Sequence, residues 1–296
     1  MTNVGIRKYE KYLTQNLNDL VTGMININPD NSNLHFTIPL FSTISNCKMD
    51  FSLNYSYLSK YEKDGFGKGF KLSYYLKLYK ENETMKMKLN DSSIIELTYD
   101  SERGVYVNEL YGYTAKLESL NTYYHVYDKF GNYYYMGLGL SYPIKIAYLN
   151  GNCVKSGFEE DKLVFTNNFD DKVILTNSES ANYYVTNIEY IAKINDISET
   201  VYTINIEYSS NLIINKIEKI YNNTIINTIL MEHHSYLIEI KDGIKTNSIR
   251  YSMNSDGRVY KIEEGFNGTY ENMRYTNITY DLLISKTTIV SDYLGN

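Results

Sequence analysis

Asp64-Gly65-Phe66-Gly67-Lys68-Gly69-Phe70-Lys71-Leu72-Ser73-Tyr74 is the most distinctive stretch of this chain. Glycine takes every second position from Gly65 to Gly69, with Phe66 and Phe70 between and beside them, and Leu72, Tyr74, Leu76 and Leu78 then repeat every second residue. A period of two is the signature of a strand. Glycine reaches backbone angles closed to other residues, so the three are expected to make a bulge or a tight backbone approach at a sharp strand bend. A phosphate-cradling loop would need Gly-Lys-Ser/Thr opening a helix, where N–H groups and the helix dipole meet the anion. Here Gly69-Phe70 follows Lys68 and a strand follows that, so the stretch is read as structural.

The same alternation continues on both sides. Leu34, Phe36, Ile38 and Leu40 form one run, and Met49, Phe51, Leu53, Tyr55 and Tyr57 a second; each is read as a strand with one buried face. Pro39 cannot donate a ladder hydrogen bond, which places it at an edge or strand end. Met85, Met87 and Leu89 lead through the polar Asn90-Asp91-Ser92-Ser93 to Ile95, Leu97 and Tyr99, a hairpin pattern. Tyr123–Tyr127 and Tyr133–Met136 flank Asp128-Lys129-Phe130-Gly131-Asn132 in a second hairpin. Asp128 suits the first position of a type I turn and Gly131 the left-handed residue that closes it with a bulge. Further turns are expected at Asn150-Gly151, Asp242-Gly243, Asp256-Gly257 and Asn267-Gly268. Ile206-Glu207-Tyr208, Ile249-Arg250-Tyr251 and Ile278-Thr279-Tyr280 each precede a further apolar pair or residue, a loose recurrence without strict period. One helix is expected, over Ile6–Val21, where Ile6, Tyr9, Leu13, Leu17 and Leu20 fall at helical spacing before Gly23. The expected organisation is a helical leader over 1–24 and a continuous β array over 25–296.

Composition narrows the function classes. The chain has 296 residues, 43% hydrophobic and 22% charged, a globular balance. Its 33 tyrosines, against no tryptophan and 3 prolines, suit half-buried sheet faces. A net charge of −6 argues against nucleic acid or an anionic membrane surface as partner. No apolar run is long enough for a spanning helix, and Met1–Glu10 lacks the apolar core of a signal peptide. Cys47 shares parity with Met49 and Phe51 and is read as a buried thiol; pairing with Cys153 is the alternative.

No catalytic constellation stands out. His233 and His234 are neighbours in a strand pattern and so face opposite ways, while His35 and His125 are isolated, so no metal is expected. Glu159-Glu160 and Glu263-Glu264 read as solvated acidic surface, and there is no nucleophile elbow. No cofactor is expected. The runs Tyr74-Tyr75, Tyr123-Tyr124 and Tyr133-Tyr134-Tyr135 are read as cross-strand packing, with stacking on sugar rings as the alternative.

The order of these motifs resembles the N-terminal part of the Rhs/YD-repeat family, relatives of the teneurin and toxin-complex shells. The resemblance is carried by Ile38-Pro39-Leu40, Asn54-Tyr55-Ser56, the Gly65–Ser73 stretch, the Asn90–Ser93 hairpin and Asp128-Lys129-Phe130-Gly131-Asn132. It continues in Tyr280-Asp281 and in Asp292-Tyr293-Leu294-Gly295-Asn296, which repeats the D-x-x-G-N turn. Phe70 stands where the family usually has Trp, residues Val154 to Leu230 lack clear repeat signatures, and no Asp-Pro self-cleavage dipeptide occurs. The resemblance implies a curved or spiralling sheet of antiparallel hairpins. It also implies a non-enzymatic scaffold at or beyond the cell surface, whose partners are the rest of a shell or an enclosed toxin module. Because the chain stops on the turn residue Asn296, it is expected to be a piece of that larger shell. A tyrosine-rich module that binds glycans is the alternative. The residues expected to matter structurally are Gly65, Phe66, Gly67, Gly69, Phe70, Asp128, Gly131, Asn132, Tyr280, Asp281, Asp292, Gly295 and Asn296.

Overall fold

The computed structural model describes residues 26–27, 34–118, 122–178, 184–194, 197–243, 248–255, 258–266, 269–281 and 287–291. The helix expected over Ile6–Val21 lies outside the described residues, as do Asp292, Gly295 and Asn296. Apart from a 3-10 turn at Tyr57–Ser59, the described regular structure is all strand. The first strands are β1 Asn26–Ile27, β2 Leu34–Ser42, β3 Asp50–Ser56 and β4 Phe70–Leu72, which form a sheet in that order. Next come β5 Leu76–Glu81, β6 Thr84–Leu89, β7 Ile94–Asp100, β8 Val105–Asn108, β9 Tyr113–Leu117, β10 Tyr123–Tyr127, β11 Tyr133–Gly137 and β12 Lys145–Ala147. They are followed by β13 Cys153–Glu159, β14 Lys162–Asn167, β15 Lys172–Asn177, β16 Val185–Ile194, β17 Ile197–Tyr208 and β18 Ile214–Tyr221. The last are β19 Thr224–His234, β20 Leu237–Asp242, β21 Ser248–Met253, β22 Val259–Phe266, β23 Thr269–Asp281 and β24 Thr287–Ser291. From β5 onward each strand hydrogen-bonds to its successor in the chain.

The chain condenses into two compact units. One comprises Ser52–Phe70 with the described residues up to Leu40 and from Ile204 onward; the other comprises Phe41–Phe51 and Lys71–Thr203. The core of the first is aromatic at its centre. Phe36 stacks on Tyr55 at 4.8 Å and on Tyr251 at 6.0 Å, and Phe70 meets Tyr55 at 5.0 Å. Ile238, Ile240, Ile249 and Ile262 are buried on the same face of β20–β22 as Tyr251 or directly opposite it. The other face carries charge: Glu239 lies opposite Arg250, and Arg250 opposite Glu263. In the second unit Phe51 packs against Phe41, Tyr74 and Phe165 at 5.0–5.4 Å. A second cluster there joins Leu78, Met85, Met87, Ile95 and Leu97 to Ala115, Val126 and Met136 across β5–β11.

Three expectations change. The alternating run from Leu72 to Leu78 is two strands, not one: the Tyr75 N–H bonds the Leu72 carbonyl at 2.9 Å, closing a turn between β4 and β5. Tyr74, Tyr75 and Leu76 are all buried there, so the apolar alternation of the sequence passes through the turn without reporting its direction. β3 buries both faces at its end, since Asn54 and Ser56 are enclosed as well as Leu53 and Tyr55. Asn54 Oδ1 accepts from Thr37 Oγ1 at 2.7 Å, and the Ser56 N–H donates to the Gly69 carbonyl at 3.0 Å, so polar groups go inside with partners. Finally, Glu263 is buried rather than solvated, because Lys261 Nζ reaches it at 2.7 Å beside Arg250. Glu159 and Glu160 are exposed.

Candidate functional site

The glycine stretch lies in the first unit, and all three glycines have positive φ: +73° at Gly65, +75° at Gly67 and +80° at Gly69. A Cβ on Gly67 would stand 2.4 Å from the Leu212 carbonyl oxygen, and one on Gly69 2.7 Å from the Tyr55 ring. The Lys68 N–H donates to the Leu212 carbonyl at 2.8 Å and the Gly69 N–H to the Glu62 carbonyl at 3.2 Å. These donors are spent on the protein, which removes them from any anion cradle. Phe66 and Phe70 are buried. The stretch is a backbone dock against the turn that carries Leu212.

That turn belongs to a recurring device. In Leu89–Ser93, Asp128–Asn132, Tyr148–Asn152, Asn167–Asp171 and Ser209–Ile213 the first N–H bonds the fifth carbonyl, and the fourth N–H bonds the first carbonyl, at 2.9–3.2 Å. The fourth residue has positive φ in each: Ser92 +69°, Gly131 +79°, Gly151 +82°, Asp170 +61° and Leu212 +60°. This is a type I turn closed by a left-handed bulge residue. Asp128 Oδ1 accepts from the Phe130 and Asn132 N–H groups at 2.9 Å, while Oδ2 takes Asn132 Nδ2 at 2.8 Å and the Tyr134 hydroxyl at 3.0 Å. Burial and the Asp128 carboxylate push the Tyr134 phenol well above its ordinary pKa. Asn167-Asn168-Phe169-Asp170-Asp171 repeats the wiring with the amide and carboxylate exchanged: Asn167 Oδ1 takes the Phe169 and Asp171 N–H groups, and Asn167 Nδ2 reaches Asp171 Oδ2. Asn254–Arg258 shares the first-to-fifth bond, with Asn254 Oδ1 accepting from the Arg258 N–H. The copies at Asn90–Ser93, Asp128–Asn132 and Asn150-Gly151 are legible in the sequence as turns, whereas those at Asn167–Asp171 and Ser209–Ile213 are not.

In the second unit, β5 to β16 pair antiparallel in succession, so connections from an even to an odd strand share one end. The turns at 89–93, 128–132, 148–152 and 167–171 all fall at that end. A cleft of about 710 Å³ opens there, lined by Asn132, Tyr148, Leu149, Asn150 and Asn152 from these turns, by Asn46 and Lys48 before β3 and Asp50 at its start, and by Ser73 and Tyr74. Ser73 Oγ holds the Asp50 carbonyl at 2.9 Å, and Asn152 Nδ2 holds the Asn46 carbonyl at 3.2 Å. Burial, then the neighbouring Tyr148 and Asp50, raise the Tyr74 pKa; burial also raises that of Tyr148. The cleft therefore presents neutral phenols, amides, one ammonium and one carboxylate. It offers hydrogen bonding to a polar ligand.

The tyrosine runs divide by face. Tyr124, Val126 and Met136 point into the core. On the other face Tyr123 stacks on Tyr135 at 5.3 Å, His125 on Tyr133 at 5.7 Å, and Tyr127 lies 5.4 Å from Tyr133. These rings contact one another across β10 and β11, which is cross-strand packing, and Tyr127 is exposed.

His233 and His234 do part to opposite faces, since His233 lies 5.8 Å from the Tyr55 ring while His234 is exposed beside Glu232. Burial, then His234, lower the His233 pKa to about 4. Among the described residues no three His, Cys, Asp or Glu side chains are grouped to hold a metal. No described helix is long and apolar enough to cross a membrane. Lys71, unnoticed in the sequence, is buried with Nζ 3.0 Å from Ser92 Oγ and 5.3 Å from the Tyr75 ring centre. Tyr280 and Asp281 end β23, opposite Thr288 and Thr287.

No protein-family model matches the sequence, and no curated protein matches it. Among solved structures, a porin-like protein from Bacteroides uniformis aligns with a TM-score of 0.33 and 9% identity, over 74% of this chain and 91% of that one.

Proposed function

We propose that this chain is a non-catalytic scaffold, the opening part of a YD-repeat-like shell that encloses or presents a separate toxin or effector module outside the cell. The observation that carries the reading is the recurrence of one turn, D-x-x-G-N at Asp128–Asn132 and its chemical variants, at intervals of roughly 20 or 40 residues. Such a spacing is that of a repeated hairpin unit whose sequence has drifted while its hydrogen bonds have not. Aromatic rings interleaved between strands agree with a wall, since a wall needs cross-strand cohesion and no reaction centre. Sequencing the locus on both sides of the coding segment tests it. Further Tyr-Asp hairpins and a distinct module, in frame or adjacent, are expected; a solitary gene without them contradicts the shell.

The amide-lined cleft favours a second reading, a glycan-binding surface module. Binding on a glycan array, lost in Asn150→Ala and Asn132→Ala, would support it over the pure scaffold.

A further inference from the structure

Cys47 and Cys153 come from distant parts of the sequence and meet at the base of the turn-bearing end of the second unit. Cys47 lies in the connection before β3, and Cys153 is the first residue of β13. The Cys47 thiol donates to the carbonyl oxygen of Cys153 itself, at 3.5 Å. Both main chains are clamped by one turn: Asn167 Nδ2 donates to the Cys47 carbonyl at 2.8 Å, and the Cys153 N–H donates to Asn168 Oδ1 at 3.2 Å. One residue earlier on each side, Asn152 Nδ2 donates to the Asn46 carbonyl at 3.2 Å. The two segments of main chain are thus laced together at the cysteines and one residue before them.

The two thiols differ in access. Cys47 is fully buried, and burial pushes its pKa up, whereas Cys153 is half-buried. The thiolate is the nucleophile in exchange, so the accessible thiol meets an oxidant first and the enclosed one resolves it. We propose that Cys47 and Cys153 are a disulfide-forming pair, oxidised by a small-molecule disulfide through Cys153. The Cys153 thiolate attacks one sulfur of the oxidant and expels a thiolate, giving a mixed disulfide. Cys47 attacks Cys153 Sγ and its proton passes to the second thiolate as that group is expelled. Two protein thiols are oxidised to one disulfide, and one disulfide of the oxidant is reduced to two thiols. The bond ties the connection before β3 to β13, closing a loop of more than a hundred residues, so it restricts the unfolded chain strongly.

The full chain, reduced and then incubated with oxidised glutathione, is read by intact mass and by peptide mapping without reductant. The expected product is lighter by two hydrogens, carries no glutathione, joins the Cys47 and Cys153 peptides, and melts several degrees higher than the reduced chain. Cys47→Ser is expected to stop at a stable glutathione adduct on Cys153, and Cys153→Ser to remain unmodified. A wild-type chain that keeps both thiols, keeps the adduct on Cys153, or cross-links between molecules overturns the pairing. Circular dichroism of each variant shows that it is folded, so a misfolded substitution is recognised and the wild-type result alone then decides.

Discussion

Gly65 and Gly67 share nearly the same backbone twist and differ in what surrounds them. A methyl on Gly65 meets nothing within 4 Å, whereas one on Gly67 meets the Leu212 carbonyl at 2.4 Å. Gly65→Ala therefore carries only the left-handed penalty, about 1 kcal/mol. Gly67→Ala adds a backbone collision and loosens the Lys68–Leu212 bond, for about 3 kcal/mol or more. Urea titration of both variants measures the difference; equal losses would contradict the docking account. His233 gives a pH test. Its folded pKa of about 4 lies below the ordinary 6.5, so the unfolded chain binds the proton more readily between those values. Stability is full above pH 6.5 and falls as pH drops towards 4, by about 2–3 kcal/mol from this group. His233→Phe, packed against Tyr55 and Phe70, should flatten that part of the profile in thermal melts from pH 7 to pH 4.5. The docking glycines were legible because alternating glycine has few structural uses. Lys71 was not, because nothing in sequence tells a buried lysine beside Ser92 from a solvated one.

Hairpins are the working element. Their turns use two chemistries, and each predicts a different response. In the five-residue turn Asp128 accepts from two backbone N–H groups, Asn132 and Tyr134, so Asp128→Ala should cost about 2–3 kcal/mol, while Asp128→Asn keeps most of the wiring and loses about 1 kcal/mol. The two-residue turns Asn82-Glu83, Glu160-Asp161 and Asn222-Asn223 have positive φ at both positions, with no glycine. That is the type I′ geometry, in which glycine is favoured at the second position. Glu83→Gly and Asp161→Gly are expected to stabilise by up to about 1 kcal/mol, read as a raised melting temperature. These turns explain the limits of sequence reading. Asp128–Asn132 and Asn90–Ser93 announce themselves through Asp, Gly and Ser, but Glu-Asn-Glu-Thr and Glu-Glu-Asp-Lys carry no turn residue strong enough to mark them. Strand pairing imposed the left-handed angles on ordinary residues there. The Leu72–Leu78 run misled for the opposite reason: the apolar residues alternate in the sequence straight through a turn.

At the scale of the molecule, all-β antiparallel architecture was readable because alternation and turn residues recur along nearly the whole described chain. The division into two units was not, since it depends on which distant strands share a core. Phe36 stacking on Tyr251, and Phe41 stacking on Tyr190, join residues that no local pattern connects. The cleft at the turn end of the second unit was equally hidden. Asn132 and Asn150 look like solvated loop residues until the even-to-odd connections of successive strands bring them to one end, where Asn46 joins them in the cleft lining.

We propose that these hairpins form part of a wall around a separate module. Electron cryomicroscopy of the product purified from its native source tests it most directly. The account predicts a hollow β shell in which the hairpins of β5–β24 continue into further hairpins, with additional protein density enclosed or displayed. A particle containing this chain alone, with no further hairpins and no second module, would contradict it.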